Sequence, residues 1–112
     1  NNVGVLFNSG SGTFLSQITY PTGTGPYSIV VIDISNDGKV DIIVANQGSS
    51  SVGVLRNMGN GTFFSQVIYS TGGSSSPSFV VAADLNGDSA IDLIVANVNN
   101  LGIFFNMGNG TF

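Results

Sequence analysis

Four short runs of β-forming residues recur along this chain, separated by clusters of Gly, Ser, Asn and Pro. In the central stretch they cover 28–33, 40–46, 51–57 and 62–69, each bounded by turn residues as strands are. The first two, with Ile29-Val30-Val31-Ile32 and Ile42-Ile43-Val44-Ala45, are apolar at odd and even positions alike. That pattern predicts strands buried on both faces, between two neighbouring sheets. The fourth, Phe63-Phe64-Ser65-Gln66-Val67-Ile68-Tyr69, is broken by polar residues and suits an outer, partly wetted place. Gly59-Asn60-Gly61 can supply the positive φ values of a tight hairpin connection. No stretch shows helical periodicity of useful length.

The same succession repeats. Asn8-Ser9-Gly10-Ser11-Gly12-Thr13-Phe14 returns as Asn57-Met58-Gly59-Asn60-Gly61-Thr62-Phe63 and as Asn106-Met107-Gly108-Asn109-Gly110-Thr111-Phe112, at a step of 49 residues each time. Tyr20 maps to Tyr69 at this step, but Asp33 maps to Asp84 and Asn46 to Asn97 at a step of 51. A short insertion after Tyr69 and a matching loss after Asn97 account for the difference, and such changes belong in loops. A period of this size signals propellers or stacked arrays. The expected fold is therefore all-β: four-stranded antiparallel blades in tandem, as a partial β-propeller or an open array. On this register 1–20 are the last two strands of one blade, 21–69 a complete blade, and 70–112 most of the next. Residues 1–14 match 99–112, so this stretch is not expected to close a ring alone. Neighbouring blades or copies of itself are the expected partners, because end blades showing Val, Ile and Phe would otherwise aggregate.

Composition narrows the function. Apolar residues fill 42% of the 112 positions, which is ordinary, but charged residues only 7%, against about 25% in typical soluble domains. Asn, Ser, Thr, Gln and Gly must wet the surface instead. Lys39 and Arg56 are the only basic side chains, too few for a nucleic-acid footprint or a polybasic lipid patch. No apolar run approaches the roughly 20 residues of a membrane span. Asn1-Asn2-Val3-Gly4 lack the pattern of a signal peptide, so the chain reads as a mature piece. Cys, His and Glu are all missing, which excludes disulfides and thiolate sites and removes the usual general bases and nucleophiles. An enzyme is not expected.

All six acidic residues fall in two nine-residue windows, at positions 1, 5 and 9: Asp33, Asp37 and Asp41, then Asp84, Asp88 and Asp92. Position 3 is Ser35 in one window and Asn86 in the other. Side-chain oxygens two residues apart along a tight loop, with the main-chain carbonyl of position 7 (Lys39 or Ala90), make the oxygen cage that a hard cation such as Ca²⁺ takes. Without a cation, carboxylates held this close repel one another. Two divalent ions would neutralise the formal net charge of −4. An EF-hand is excluded, since it needs a Glu at its twelfth position and flanking helices. Gly38 at position 6 favours a sharp left-handed turn and Ser89 does not. The 84–92 site is therefore expected to be the weaker of the two.

These loops, DxSxDGxxD and DxNxDSxxD, resemble the DxDxDGxxD pattern of the FG-GAP or VCBS repeat family, the blade type of integrin α-subunit propellers. Each is followed by the matching apolar strand, Ile42-Ile43-Val44-Ala45-Asn46 or Leu93-Ile94-Val95-Ala96-Asn97, and the Asn-x-Gly-x-Gly-Thr-Phe turn is also similar. Val44-Ala45-Asn46 stands where the name-giving Gly-Ala-Pro would be, and Val52-Gly53 and Leu101-Gly102 where Phe-Gly would be, which argues against integrin-like ligand binding. The resemblance implies calcium and an extracellular, secreted or cell-surface place. The expected function is a calcium-binding structural or adhesive repeat of a propeller or filament, with a protein or glycan ligand; a glycan-binding propeller is the alternative. For that alternative, Tyr20, Tyr27 and Tyr69 near strand ends could stack on a sugar or pack at the blade rim. Asn60-Gly61-Thr62 and Asn109-Gly110-Thr111 match the N-glycosylation sequon, although hairpin turns select Asn-Gly anyway.

Overall fold

A computed structural model describes residues 1–112. Its strands are β1 (Asn2–Val5), β2 (Ile18–Pro21), β3 (Pro26–Ile32), β4 (Asp41–Asn46), β5 (Ser51–Leu55), β6 (Val67–Ser70), β7 (Pro77–Ala83), β8 (Asp92–Asn97) and β9 (Leu101–Phe104). They form three antiparallel sheets, ordered β1-β2, β3-β4-β5-β6 and β7-β8-β9. The one helical element is a 3-10 turn at Gln47–Ser49. Registers repeat as the sequence does: Ile43 lies between Val30 and Val54, and Ile94 between Val81 and Ile103. Pro26 and Pro77 each open the first strand of a blade and sit beside the same bulge. A residue without an N–H is tolerated there because it interrupts no ladder.

The alternation of side chains along a strand explains the core. From β4 and β5, Ile43, Ala45, Val52 and Val54 face the third sheet and meet Val80, Leu93, Val95 and Ile34. Ile42, Val44 and Leu55 face the opposite way, onto Val3, Val5, Tyr20 and Phe63. Every residue of β4 and β5 is buried, as expected for a blade enclosed by neighbours. Edge-to-face aromatic pairs span both interfaces: Tyr20 on Phe63 at 5.4 Å, and Tyr69 on Phe112 at 5.2 Å.

Two expectations need correction. Full burial holds for β4 but not for β3, where Ile29 and Val31 remain 51% and 59% exposed. The two-stranded sheet packs on β4 and β5 and does not reach across β3. The outer strand also starts later than its β-rich composition predicts, at Val67 instead of Thr62. Phe63 makes only an isolated bridge with Asn57. The Gln66 side chain folds inward over Gly53, where a methyl group would collide with its Oε1, and Gln17 lies in the same way over Gly4. In both sheets the residue just before the outer strand is thus a glutamine lying on a glycine.

Ile43→Ala should lower stability by about 2–5 kcal/mol, the range for truncating a fully buried aliphatic side chain. Ile29→Ala should fall within about 0.5 kcal/mol of the parent, as surface changes do. Urea unfolding measures both, and equal losses would mean that the outer face of β3 is covered in solution.

Candidate metal centre

Both acidic loops join the first two strands of a blade, 33–41 between β3 and β4 and 84–92 between β7 and β8. Each turns on two left-handed residues, at positions 4 and 6: Asn36 (φ 57°) and Gly38 (φ 79°) in the first, Gly87 (φ 79°) and Ser89 (φ 71°) in the second. Each loop therefore holds one glycine and one residue with a Cβ, in swapped order. A left-handed conformation costs an L-residue roughly 1–2 kcal/mol, less for Asn, whose short side chain tolerates it. Position 6 alone therefore does not separate the two loops. The backbones are alike in this respect, and the difference reduces to strain at Ser89.

The carboxylates organise the turns. Asp33 accepts hydrogen bonds from the Asp37 and Gly38 amides, at 3.1 and 2.7 Å. Asp84 accepts from the Gly87 and Ser89 amides, at 2.7 and 3.0 Å. Asp37 Oδ1 takes the Lys39 amide and Oδ2 the Lys39 ammonium, both at 3.0 Å. In the second loop the same two positions on Asp88 are filled by the Ala90 amide at 2.8 Å and the Asn86 side-chain amide at 2.8 Å. Ser35 adds only a minor side-chain hydrogen bond to Asp37, and the main-chain carbonyls of Lys39 and Ala90, the other expected ligands, take no part in these bonds. The hydrogen bond from Lys39, above all, holds the Asp37 carboxyl below the usual carboxylate range. The Ala90 amide, followed by Asn86, does the same for Asp88. Lowered values favour the charged form, so any stability they carry is present above the ordinary carboxylate pKa and fades as pH falls below it.

Position 9 behaves differently. Asp41 and Asp92 are wholly buried. Asp41 binds the Ile34 amide at the start of its own loop (3.2 Å) and the Asn57 amide beyond β5 (2.7 Å). Asp92 binds the Leu85 and Asn106 amides in the same way, at 3.0 and 2.9 Å. Asn57 Nδ2 returns a bond to the Val40 carbonyl. Asn106 Nδ2 bonds the Ile91 carbonyl and also crosses to the Ile34 carbonyl of the preceding blade, at 2.8 Å. Sequence reasoning treated Asn57 and Asn106 only as turn anchors. Their recurrence at the 49-residue step was the signal that they lock each turn to the buried aspartate.

Residues of both loops line one cleft of ≈ 180 Å³, among them Asp33 and Asn36 from the first and Asp88 and Ser89 from the second, together with Asn106. The chemistry of the donor set suits a hard cation, since every candidate donor is an oxygen, and Asp41 and Asp92 are buried with only amides as partners, Lys39–Asp37 being the sole ion pair. As placed, however, the carboxylates turn onto amides of their own loops and, for Asp41 and Asp92, also of the turns at Asn57 and Asn106, and no three of them converge.

Other expected contact residues divide clearly. Tyr20 and Tyr69 pack against phenylalanine rings inside the blade interfaces, whereas Tyr27 is 68% exposed. Asn60 and Asn109 lie on exposed turns. No helix is long and apolar enough to cross a membrane.

A family model described as FG-GAP-like repeat matches residues 1–44 and 33–95. No curated protein and no solved structure matches the chain.

Gly38 and Ser89 give a direct test of the loop backbone. Ser89→Gly should stabilise the chain by about 0.5–1 kcal/mol by removing left-handed strain, and Gly38→Ala should destabilise it by about 1 kcal/mol. No heavy atom stands near a Cβ at position 38, so a loss there reports backbone conformation and not collision. Asp92→Ala, which strands two amides, should cost at least about 2 kcal/mol. Denaturant unfolding in chelator measures all three.

Proposed function

This chain belongs to the FG-GAP-like repeat family, and on that premise we propose that it is a calcium-binding structural or adhesive module of an extracellular β-propeller or filament. The observation that carries this reading is the concentration of every carboxylate in two equivalent inter-strand loops, each with one aspartate buried without a cationic partner. Asp33, Ser35, Asp37 and Asp41 with the Lys39 carbonyl would hold one ion. Asp84, Asn86, Asp88 and Asp92 with the Ala90 carbonyl would hold the other. Bound calcium would supply the positive charge that lets the carboxylates of one loop gather. In the first loop it competes with the Lys39 ammonium for Asp37.

The same premise supports assembly through blade faces. Tyr27, Ile29 and Val31 on β3, and Phe79, Leu101 and Ile103 on β7 and β9, are exposed apolar residues on sheet strands. They suit a neighbouring blade, in a longer array or in a second copy. Glycan recognition draws less support, because two of the three tyrosines are taken up by packing. If the chain is secreted, the exposed turns leave the Asn60 and Asn109 side-chain nitrogens available for N-glycosylation.

Calcium added to metal-free protein should raise the melting temperature, with a gain of about 1.4 kcal/mol per site when free metal is ten times Kd. Calorimetric titration should give affinities in the range of roughly 10⁻⁴–10⁻³ M typical of extracellular modules. Lys39→Met should tighten the first site by removing its competitor, and Asp37→Ala should abolish it. A melting curve unmoved by millimolar-range calcium would remove the metal from this reading.

A further inference from the structure

The chain contains three Asn-Gly dipeptides, Asn60-Gly61, Asn86-Gly87 and Asn109-Gly110. In such pairs the main-chain nitrogen of glycine, unhindered by a β-carbon, can attack the preceding asparagine side chain. We propose that the fold selects Asn60 among the three as a site of spontaneous deamidation.

Two conditions decide the reaction, an activated carbonyl and an available nucleophile. At Asn60 the side-chain Oδ1 accepts from the Thr62 amide at 3.1 Å and from Thr62 Oγ1 at 2.6 Å. Those donors face the oxygen on which negative charge develops as Cγ becomes tetrahedral, the logic of an oxyanion hole. The ring closed by the Thr62 amide also contains the Gly61 nitrogen and Asn60 Cγ, so it holds the reacting atoms together. Gly61 N–H donates to no protein acceptor and its residue is partly exposed, leaving the proton open to removal by solvent base.

The other two sites fail on the nucleophile. Asn109 has the same pair of donors at the same distances, Thr111 N at 3.1 Å and Thr111 Oγ1 at 2.6 Å. Its Gly110 is buried, however, and the Gly110 amide is held by Asn106 Oδ1 at 3.0 Å. Gly87 N–H is bound to Asp84 Oδ1 at 2.7 Å. An amide engaged in this way must break its bond before it can lose its proton and attack.

In the reaction, the Gly61 nitrogen loses its proton to solvent and bonds to Asn60 Cγ. The tetrahedral intermediate expels the side-chain nitrogen as ammonia and leaves a five-membered succinimide. Water then opens either ring carbonyl, giving an aspartyl or an isoaspartyl residue at position 60; the net change consumes one water and releases one ammonia. The isoaspartyl product adds a methylene to the main chain between Asn57 and Phe63, which are joined by a bridge. Phe63 packs on Tyr20, so this product loosens the contact between the first two sheets. Either product puts a new carboxylate beside Gly59, against whose Cα the Lys39 side chain lies, and so competes with Asp37 for that ammonium.

The test compares two sites with the same surrounding residues, Met-Gly-Asn-Gly-Thr-Phe, at 58–63 and 107–112. The full chain, produced without N-glycosylation, is incubated at mildly alkaline pH, both folded and in denaturant. Peptide mapping by mass spectrometry and enzymatic isoaspartate labelling follow positions 60, 86 and 109. In the folded chain, product at 60 should accumulate faster than at 109 or 86 by about threefold or more, the factor matched by one ordinary hydrogen bond. In denaturant, 60 and 109 should react alike. Thr62→Val, which keeps the side-chain shape and removes the hydroxyl donor, should slow position 60 in the folded chain only. Equal rates at 60 and 109 in folded protein would overturn the proposal. A Thr62→Val variant that folds and reacts as fast as the parent would overturn the role given to the hydroxyl.

Discussion

The structure depends on a buried carboxylate that holds two parts of each blade at once. Asp41 receives the amide that opens its own loop and the amide that opens the turn after β5, and Asp92 repeats the arrangement. A carboxylate fully removed from water is unfavourable unless its oxygens are hydrogen-bonded. That requirement fixes the geometry: both loop ends must stay where their amides reach the same side chain. Asn57 and Asn106 complete the lock from the turn side. Asn106 carries it across to the Ile34 carbonyl of the preceding blade, so the polar clamp of one blade helps set its distance from the next.

Around this clamp the sheets stack by an ordinary hydrophobic rule. A strand apolar at every position has two faces to cover, and β4 has both covered, by Val3 and Val5 on one side and Val80, Leu93 and Val95 on the other. Stacked repeats gain stability from such neighbour interfaces more than from any one unit. The exposed Ile29, Val31 and Phe79 mark the strands where that rule still lacks a second layer. Glycine placement serves the same packing: Gly4 and Gly53 leave room for Gln17 and Gln66, each the residue before an outer strand.

Much of this was legible in the residues. The period, the inter-strand position of both acidic loops and the double-faced burial of β4 followed from alternation and spacing, which act locally and repeat. The exposure of β3 did not, because burial depends on how far a neighbouring sheet extends, and an apolar pattern does not encode that. The late start of β6 was hidden because β propensity reports how well a side chain suits a pleated surface, not whether its residue pairs in a ladder. At the acidic loops, the concentration of oxygen-bearing side chains was legible. The two distinct jobs within it were not: spacing makes positions 1, 5 and 9 look equivalent, and only burial separates the clamps Asp41 and Asp92 from the exposed Asp37 and Asp88.

That separation bears on how the loops respond to charge. With so few ionised groups, each loop is the dominant electrostatic feature of its blade, and screening at physiological ionic strength limits its reach to about 8 Å. The two loops come together at one cleft, which Asp33 and Asp88 both line. In the first loop the nearest cation is internal, Lys39 on Asp37. In the second, a neutral amide from Asn86 holds Asp88. Two loops with the same pattern of left-handed turns thus differ in what holds Oδ2 of the position-5 carboxylate, an ammonium in one and a side-chain amide in the other. The side chains at positions 3 and 7 set the contrast between the two copies, while the buried aspartate at position 9 keeps the fold around them the same.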